Sequence, residues 1–117
     1  MDKKNIVVLI HHAPFVGYHC TEGLRAIVGT EHAIDGQSIK SVFLGDGVYY
    51  GLKDVSTDDR IRKYTRTFIG MGMSVYLEDE SLRNKSLSST DISQDFKVLT
   101  RAEILNLLKE ADHVLSF

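Results

Sequence analysis

The chain has 117 residues, 14 basic and 16 acidic, a formal charge of −2 and a single cysteine. That length suits one domain, residues 1–117, around one continuous core, and the near-balanced charge excludes a global field that would gather nucleic acid or an acidic membrane surface. One cysteine excludes an internal disulfide, an intrachain CxxC pair and a four-cysteine zinc site, and agrees with a reducing, cytoplasmic setting.

Residues 6–10 form a continuous apolar run, the pattern of a strand buried on both faces. The run is too short for a signal-peptide core or a membrane span. The stretch that follows holds His11, His12, Pro14, Phe15, Gly17, Tyr18, His19 and Cys20, with the only proline and the only cysteine of the chain. Helical spacing begins directly afterwards at Leu24, Ile27 and Val28. In an open α/β sheet, ligands and partners meet loops at the carboxyl ends of strands, and residues 11–20 form such a loop.

Residues 35–38 read as a turn and 39–44 as a second strand feeding the glycine loop Gly45, Asp46, Gly47, Val48, Tyr49, Tyr50, Gly51. Its spacing is G-x-G-x-x-x-G, one residue too long for a dinucleotide fingerprint. Gly45 and Gly47 instead suit a tight strand-to-helix turn in which Asp46 caps free N–H groups. A second long helix is expected from Ser56 and Thr57, with Ile61, Tyr64, Phe68 and Ile69 on its buried face and a stop at Gly70 or Gly72. Arg60, Arg62, Lys63 and Arg66 make its outer face basic. Asp58 and Asp59 balance that face, which reads as solvated rather than as a nucleic-acid surface.

Residues 73–77 read as a third strand, followed by the acids Glu78, Asp79 and Glu80, which repel one another unless solvated, paired or bound to a cation. Solvation is the default expectation, because the consecutive acids lack the spaced ligands of a calcium loop. A short helical turn over 81–87, a mobile loop over 88–91 and a fourth strand over 96–99 come next. Thr100 and Glu103 then form a capping box for a helix whose Ile104, Leu107, Leu108 and Ala111 share one stripe. A last strand covers 114–117. Strands and helices alternate throughout, which predicts a three-layer α/β/α sandwich with a mainly parallel five-stranded sheet.

The reactive candidates are few. Cys20, near the start of the first helix, could be an activated thiolate or an inert side chain drawn toward the core with Leu24 and Ile27. His11 and His12 leave a strand on opposite sides, so at most one lines the loop pocket. Together with His19 and Cys20 they lack the ligand spacing of a zinc site, so neither a metal nor a cofactor is expected. Tyr18, Tyr49 and Tyr50 suit interface packing better than catalysis.

Four segments match a known pattern: Ala13 and Pro14 followed by Glu22, Gly23 and Leu24; Asp46, Gly47 and Val48 after an apolar strand; Ser81, Leu82 and Arg83 after the third strand; and the closing Val114, Leu115, Ser116 and Phe117. In register over the whole length, they resemble the DsrE/DsrF-like sulfur-relay family, most closely its DsrF (TusC) branch. The resemblance implies assembly into a homo-trimer, a homo-hexamer or a hetero-hexamer with DsrE-like and DsrH-like chains, which pass persulfide sulfur between proteins. The charge and the short apolar run lead to the expectation of no membrane and no direct nucleic-acid partner.

In the DsrE branch a cysteine at the end of the third strand carries the sulfur. Here that position falls at Leu77 or Glu78, and neither can hold a persulfide. The resemblance therefore implies a supporting subunit without catalytic activity of its own. His11, His12, Pro14, Gly17, Glu22, Asp46, Gly47, Tyr49 and Glu78 would shape its partner-facing or pocket surface. The alternative is a carrier that uses Cys20 as the persulfide-bearing thiolate.

Overall fold

A computed structural model of the chain describes residues 5–14, 38–56, 62–63, 66–67, 70 and 74–117. Strands β1 (Asn5–Ile10), β2 (Ser38–Phe43), β3 (Ser74–Glu78), β4 (Lys97–Leu99) and β5 (His113–Ser116) form one sheet in the order β4-β3-β2-β1-β5. Every adjacent pair is parallel. The helical elements are a 3-10 turn at Gly45–Gly51, α1 (Lys53–Ser56), α2 (Asp79–Asn84), a 3-10 turn at Ser89–Asp91 and α3 (Arg101–Glu110). Residues 62, 63, 66, 67 and 70 are also helical. None of the described helices is long and apolar enough to cross a membrane.

The continuous apolar run of β1 has its explanation in this order, because β1 sits between β2 and β5 and is covered on both faces. Ile6, Val8 and Ile10 join Ile39, Phe43, Val75 and Leu77 in one core, while Val7 joins Val42 and Ile104 in the other. Two residues per pleat separate these sets cleanly. Strand order fixes which helices lie where. Right-handed crossovers in the direction β2 to β3 to β4 place the turn at Gly45–Gly51 and α2 on one face, and the reversed step from β4 to β5 places α3 on the opposite face. Accordingly Val48, Tyr50 and Leu82 fill the first core, whereas Leu107 and Leu108 of α3 and its C-cap Ala111 pack on the second. Helical elements thus cover both faces of the expected sandwich.

Phe43 anchors the first core, with its ring 5.1 Å from that of Tyr50 and in an edge contact at 5.7 Å with Phe96. Tyr50 is therefore a core residue, buried to 1% exposure, and not the interface aromatic expected from its loop. The predicted capping box opens α3: Thr100 Oγ1 accepts from the Glu103 N–H at 3.2 Å, and Glu103 accepts from the Thr100 N–H at 3.0 Å. A second capping box was not anticipated. Asp91 accepts from the Ser88 N–H at 2.9 Å and closes the turn at Ser89–Asp91, where a mobile loop was expected.

Other differences are shifts of boundary. Ser38 begins β2 instead of ending a turn, Lys53–Ser56 is helical ahead of the start expected at Ser56, and α2 starts at Asp79 rather than Ser81. Gly70 is itself helical. The first helix and the apolar residues Ile61, Tyr64, Phe68 and Ile69 lie outside the described residues.

Candidate functional site

An all-parallel sheet delivers the carboxyl ends of its strands to one edge. Here that edge gathers the segment His11–Pro14 after β1, the turn Gly45–Gly51 after β2, Glu78 at the end of β3 and Ser116–Phe117 at the end of β5. His11, His12, Pro14, Asp46, Gly47, Tyr49 and Glu78 are thereby brought to one end of the molecule. Gly17, Cys20 and Glu22, with His19, lie outside the described residues.

The glycine turn is shaped by two close constraints. Gly45 has φ +56°, the left-handed region that a residue without Cβ enters freely. Gly47 lies against β1 so tightly that a Cβ would overlap the Ile10 carbonyl oxygen. The turn is locked to its strands by the Leu44 N–H, which donates to Ile10 O at 3.0 Å, and by the Gly47 N–H, which donates to Leu44 O at 2.9 Å. The N-cap residue of the turn, Leu44, offers no capping side chain. Asp46, expected to cap it, instead accepts from Lys85 Nζ at 2.7 Å. Lys85 also lies over the half-buried Tyr49 ring, 5.1 Å from its centroid. The hydrogen bond to Asp46, assisted by that carboxylate's charge, raises the Lys85 pKa above the ordinary lysine value.

Glu78 departs most from expectation. Solvation was predicted for the acidic triplet, yet Glu78 belongs to β3 and is 3% exposed. A buried carboxylate needs donors, since desolvation otherwise costs several kcal/mol, on the order of 3 or more. Ser81 Oγ donates to Glu78 Oε1 at 2.5 Å, and Arg101 Nη2 approaches the same oxygen at 3.4 Å. Arg101 Nη1 reaches Glu80 at 3.2 Å, while Asp79 pairs with Arg83 at 3.4 Å. Every acid of the triplet is therefore paired, Glu78 and Glu80 with the shared Arg101 and Asp79 with Arg83, which offsets the repulsion. The bond to Glu78 is the first cause of a raised Arg101 pKa. Ser81 also accepts from the Gly45 N–H at 2.8 Å, so the end of β3 and the start of the glycine turn share one hydroxyl.

Of the two adjacent histidines, both exposed, His11 is tied to the closing strand. Its Nε2 lies 2.9 Å from Ser116 Oγ, and its N–H donates to Phe117 O at 2.9 Å. Among the described residues no group of three or more histidine, cysteine or acidic side chains converges as metal ligands. A cavity of about 310 Å³ lined by Leu52, Lys53, Asp54, Leu87, Thr90 and Asp91 contains none of the expected site residues.

Reading the sequence missed Ser81, Lys85 and Arg101 as parts of this edge. Ser81 was noted only as the start of a short helical turn and as part of a matching segment, and Lys85 and Arg101 were not singled out. Their partners lie 36, 39 and 23 positions away along the chain, beyond the reach of any periodic pattern. The one available signal was three consecutive acids followed by cations at Arg83, Lys85 and Arg101.

Comparison with known proteins places this edge in context. The sequence model of the DsrE/DsrF-like family matches residues 4–117. Protein TusC of Buchnera aphidicola subsp. Baizongia pistaciae (strain Bp) is 28% identical over 97% of this chain and 99% of its own length. Among solved structures, the ychN protein of E. coli superposes with a TM-score of 0.86 at 19% identity, covering 100% of both chains. MTH1491 of Methanobacterium thermoautotrophicum, described as of unknown function, superposes at 0.77 and 13% identity, covering 99% of this chain and 100% of that one. These two likenesses are likenesses of fold.

Proposed function

The chain belongs to the DsrE/DsrF-like family, and from that premise we propose that it is a supporting subunit of a cytoplasmic sulfur-relay assembly, itself without a carrier thiol at the end of its third strand. The observation that carries this reading is the identity and burial of Leu77 and Glu78. Leu77 is fully enclosed, and Glu78 is buried and engaged by Ser81 and Arg101. A persulfide carrier needs a nucleophilic sulfur that its donor can reach, and neither position supplies one. The full-length similarity to a protein named TusC supports the same role.

In this role the carboxyl edge of the sheet contributes surface instead of chemistry. The loop from His11 and the turn from Gly45 face a neighbouring chain, either a further copy in a trimer or hexamer, or DsrE-like and DsrH-like chains in a hetero-hexamer. The relay ends in thiolation of tRNA or in sulfur oxidation, depending on the acceptor with which the assembly works.

The second reading, a carrier built on Cys20, rests on its being the only thiol. One experiment separates the two. The chain is exposed to a persulfide donor with and without a DsrE-like partner, followed by mass spectrometry and light scattering, with Cys20→Ser as control. The supporting role predicts a mixed or homomeric assembly and unimpaired relay in the serine variant. A stable gain of one sulfur on Cys20, with relay lost in Cys20→Ser, would establish the carrier.

A further inference from the structure

The turn at Gly45–Gly51 carries Asp46, Gly47 and Tyr49, but the residues that hold it come from elsewhere. α2 and its C-cap grip it twice. Ser81, in the helix, accepts the Gly45 N–H at 2.8 Å, and Lys85, at the C-cap, binds Asp46 at 2.7 Å under the Tyr49 contact. The first grip depends on the direction of one hydroxyl hydrogen. A serine hydroxyl has one hydrogen to donate and lone pairs to accept with, whereas an ionised carboxylate can only accept. Because Glu78 accepts from Ser81, the Ser81 hydrogen is committed to it and a lone pair is left for Gly45. Arg101, 59% exposed at its side chain, holds Glu78 from the other side and also spans to Glu80.

We propose that Ser81, Glu78 and Arg101 are positioning residues that fix the turn at Gly45–Gly51 in the single conformation a partner chain docks against. The proposal rests on the supporting-subunit reading for the identity of that partner, a DsrE-like chain, but not for the geometry. Gly45 makes the arrangement necessary. Its left-handed backbone is one of several that glycine adopts at similar cost, so the residue that lets the turn form would equally let it open. The hydrogen bond to Ser81 selects among those conformations. Arg101 is the exposed end of the series Arg101, Glu78, Ser81, Gly45, which therefore runs from the first turn of α3 to the docking turn without passing through the docking surface itself.

Amide hydrogen exchange at Gly45 and binding to a DsrE-like chain test this together. Ser81→Ala should speed exchange of the Gly45 amide on the order of tenfold, the worth of one net hydrogen bond, and weaken partner binding in the same direction. Arg101→Ala should show a smaller change of the same sign, and Ser81→Thr, which keeps the hydroxyl, should restore both readouts. Circular dichroism checks that each variant folds, and Arg101→Ala, altered at the surface, serves if Ser81→Ala does not. Unchanged Gly45 exchange in a folded variant overturns the proposal, and so does a loosened turn with undiminished binding. A wild-type chain that binds no such partner removes the relay reading instead, and the exchange data then decide the positioning on their own.

Discussion

Gly47 and Ile10 touch backbone to backbone: the Cα of Gly47 sits where any Cβ would run into the Ile10 carbonyl oxygen. Backbone cannot rotate aside as a side chain can, so β1 or the turn must move. Gly47→Ala should cost about 1–3 kcal/mol, the range for overpacked sites. At Gly51 the nearest obstacle is a terminal methyl of Leu77, which can yield by a change of rotamer. Gly51→Ala should therefore cost less. Urea unfolding of both variants checks the order, and equal losses would show that Leu77 is held as rigidly as a backbone.

A thiol placed at the end of β3 should stay silent. Glu78→Cys puts sulfur in a site that is 3% exposed in the wild type, and burial raises a thiol's pKa while barring its donor. It also leaves Arg101 with Glu80 as its remaining carboxylate and Ser81 without its acceptor. The variant should gain no sulfur from a persulfide donor and should be less stable than wild type. Efficient transfer through Cys at this position, measured by mass spectrometry, would mean that the site opens, and would weaken the case for a supporting role.

The capping box at α3 supports a helix of ten residues that alone covers the second core among the described elements. Thr100→Ala removes the acceptor for the Glu103 N–H and should lower stability by about 1 kcal/mol. Thr100→Ser keeps the oxygen and should recover most of the loss. A thermal melt of the two variants distinguishes capping from packing, since serine restores the hydrogen bond without the methyl group.

The turn at Ser89–Asp91 should be sensitive to acid. Hydrogen bonds from the Ser88 N–H, and then from its hydroxyl, hold the Asp91 carboxyl below the ordinary carboxylate value of 3.8. A depressed folded pKa contributes stability that is fully present above the unfolded value and is lost as the pH falls through the folded one. The Ser88 amide resonance should therefore move with falling pH around a midpoint below 3.8. Movement centred above 3.8 would refute the bond, and Asp91→Asn should abolish the titration.

How much of this was legible from residues depends on the range of the interaction. The apolar run of β1, the Thr100 and Glu103 box and the stripe from Ile104 to Ala111 are local patterns, and each formed where its period placed it. The alternation of strands and helices implied a parallel sheet, but periodicity says nothing of neighbours, so the order β4-β3-β2-β1-β5 emerges only from the assembled sheet. Glu78 shows the same boundary in the site. Three consecutive acids are indistinguishable from a solvated turn until Arg101, distant in sequence, closes on them. Asp46 likewise looked like a cap because its partner Lys85 lies on another element.

Strand β1 is made first and covered last. Its inner edge waits for β2, while its outer edge waits for His113–Ser116, which pair with Ile6 to Leu9; the Asn5 N–H meets the Asp112 carboxylate at 2.7 Å across the same join. During synthesis a nascent chain stopped short of β5 would present the most apolar strand of the protein as an open edge, the template on which other chains pair. Long-range pairing of this kind is also the slow step of parallel sheets. Protection of that edge should accordingly matter most in the interval before β5 has left the ribosome.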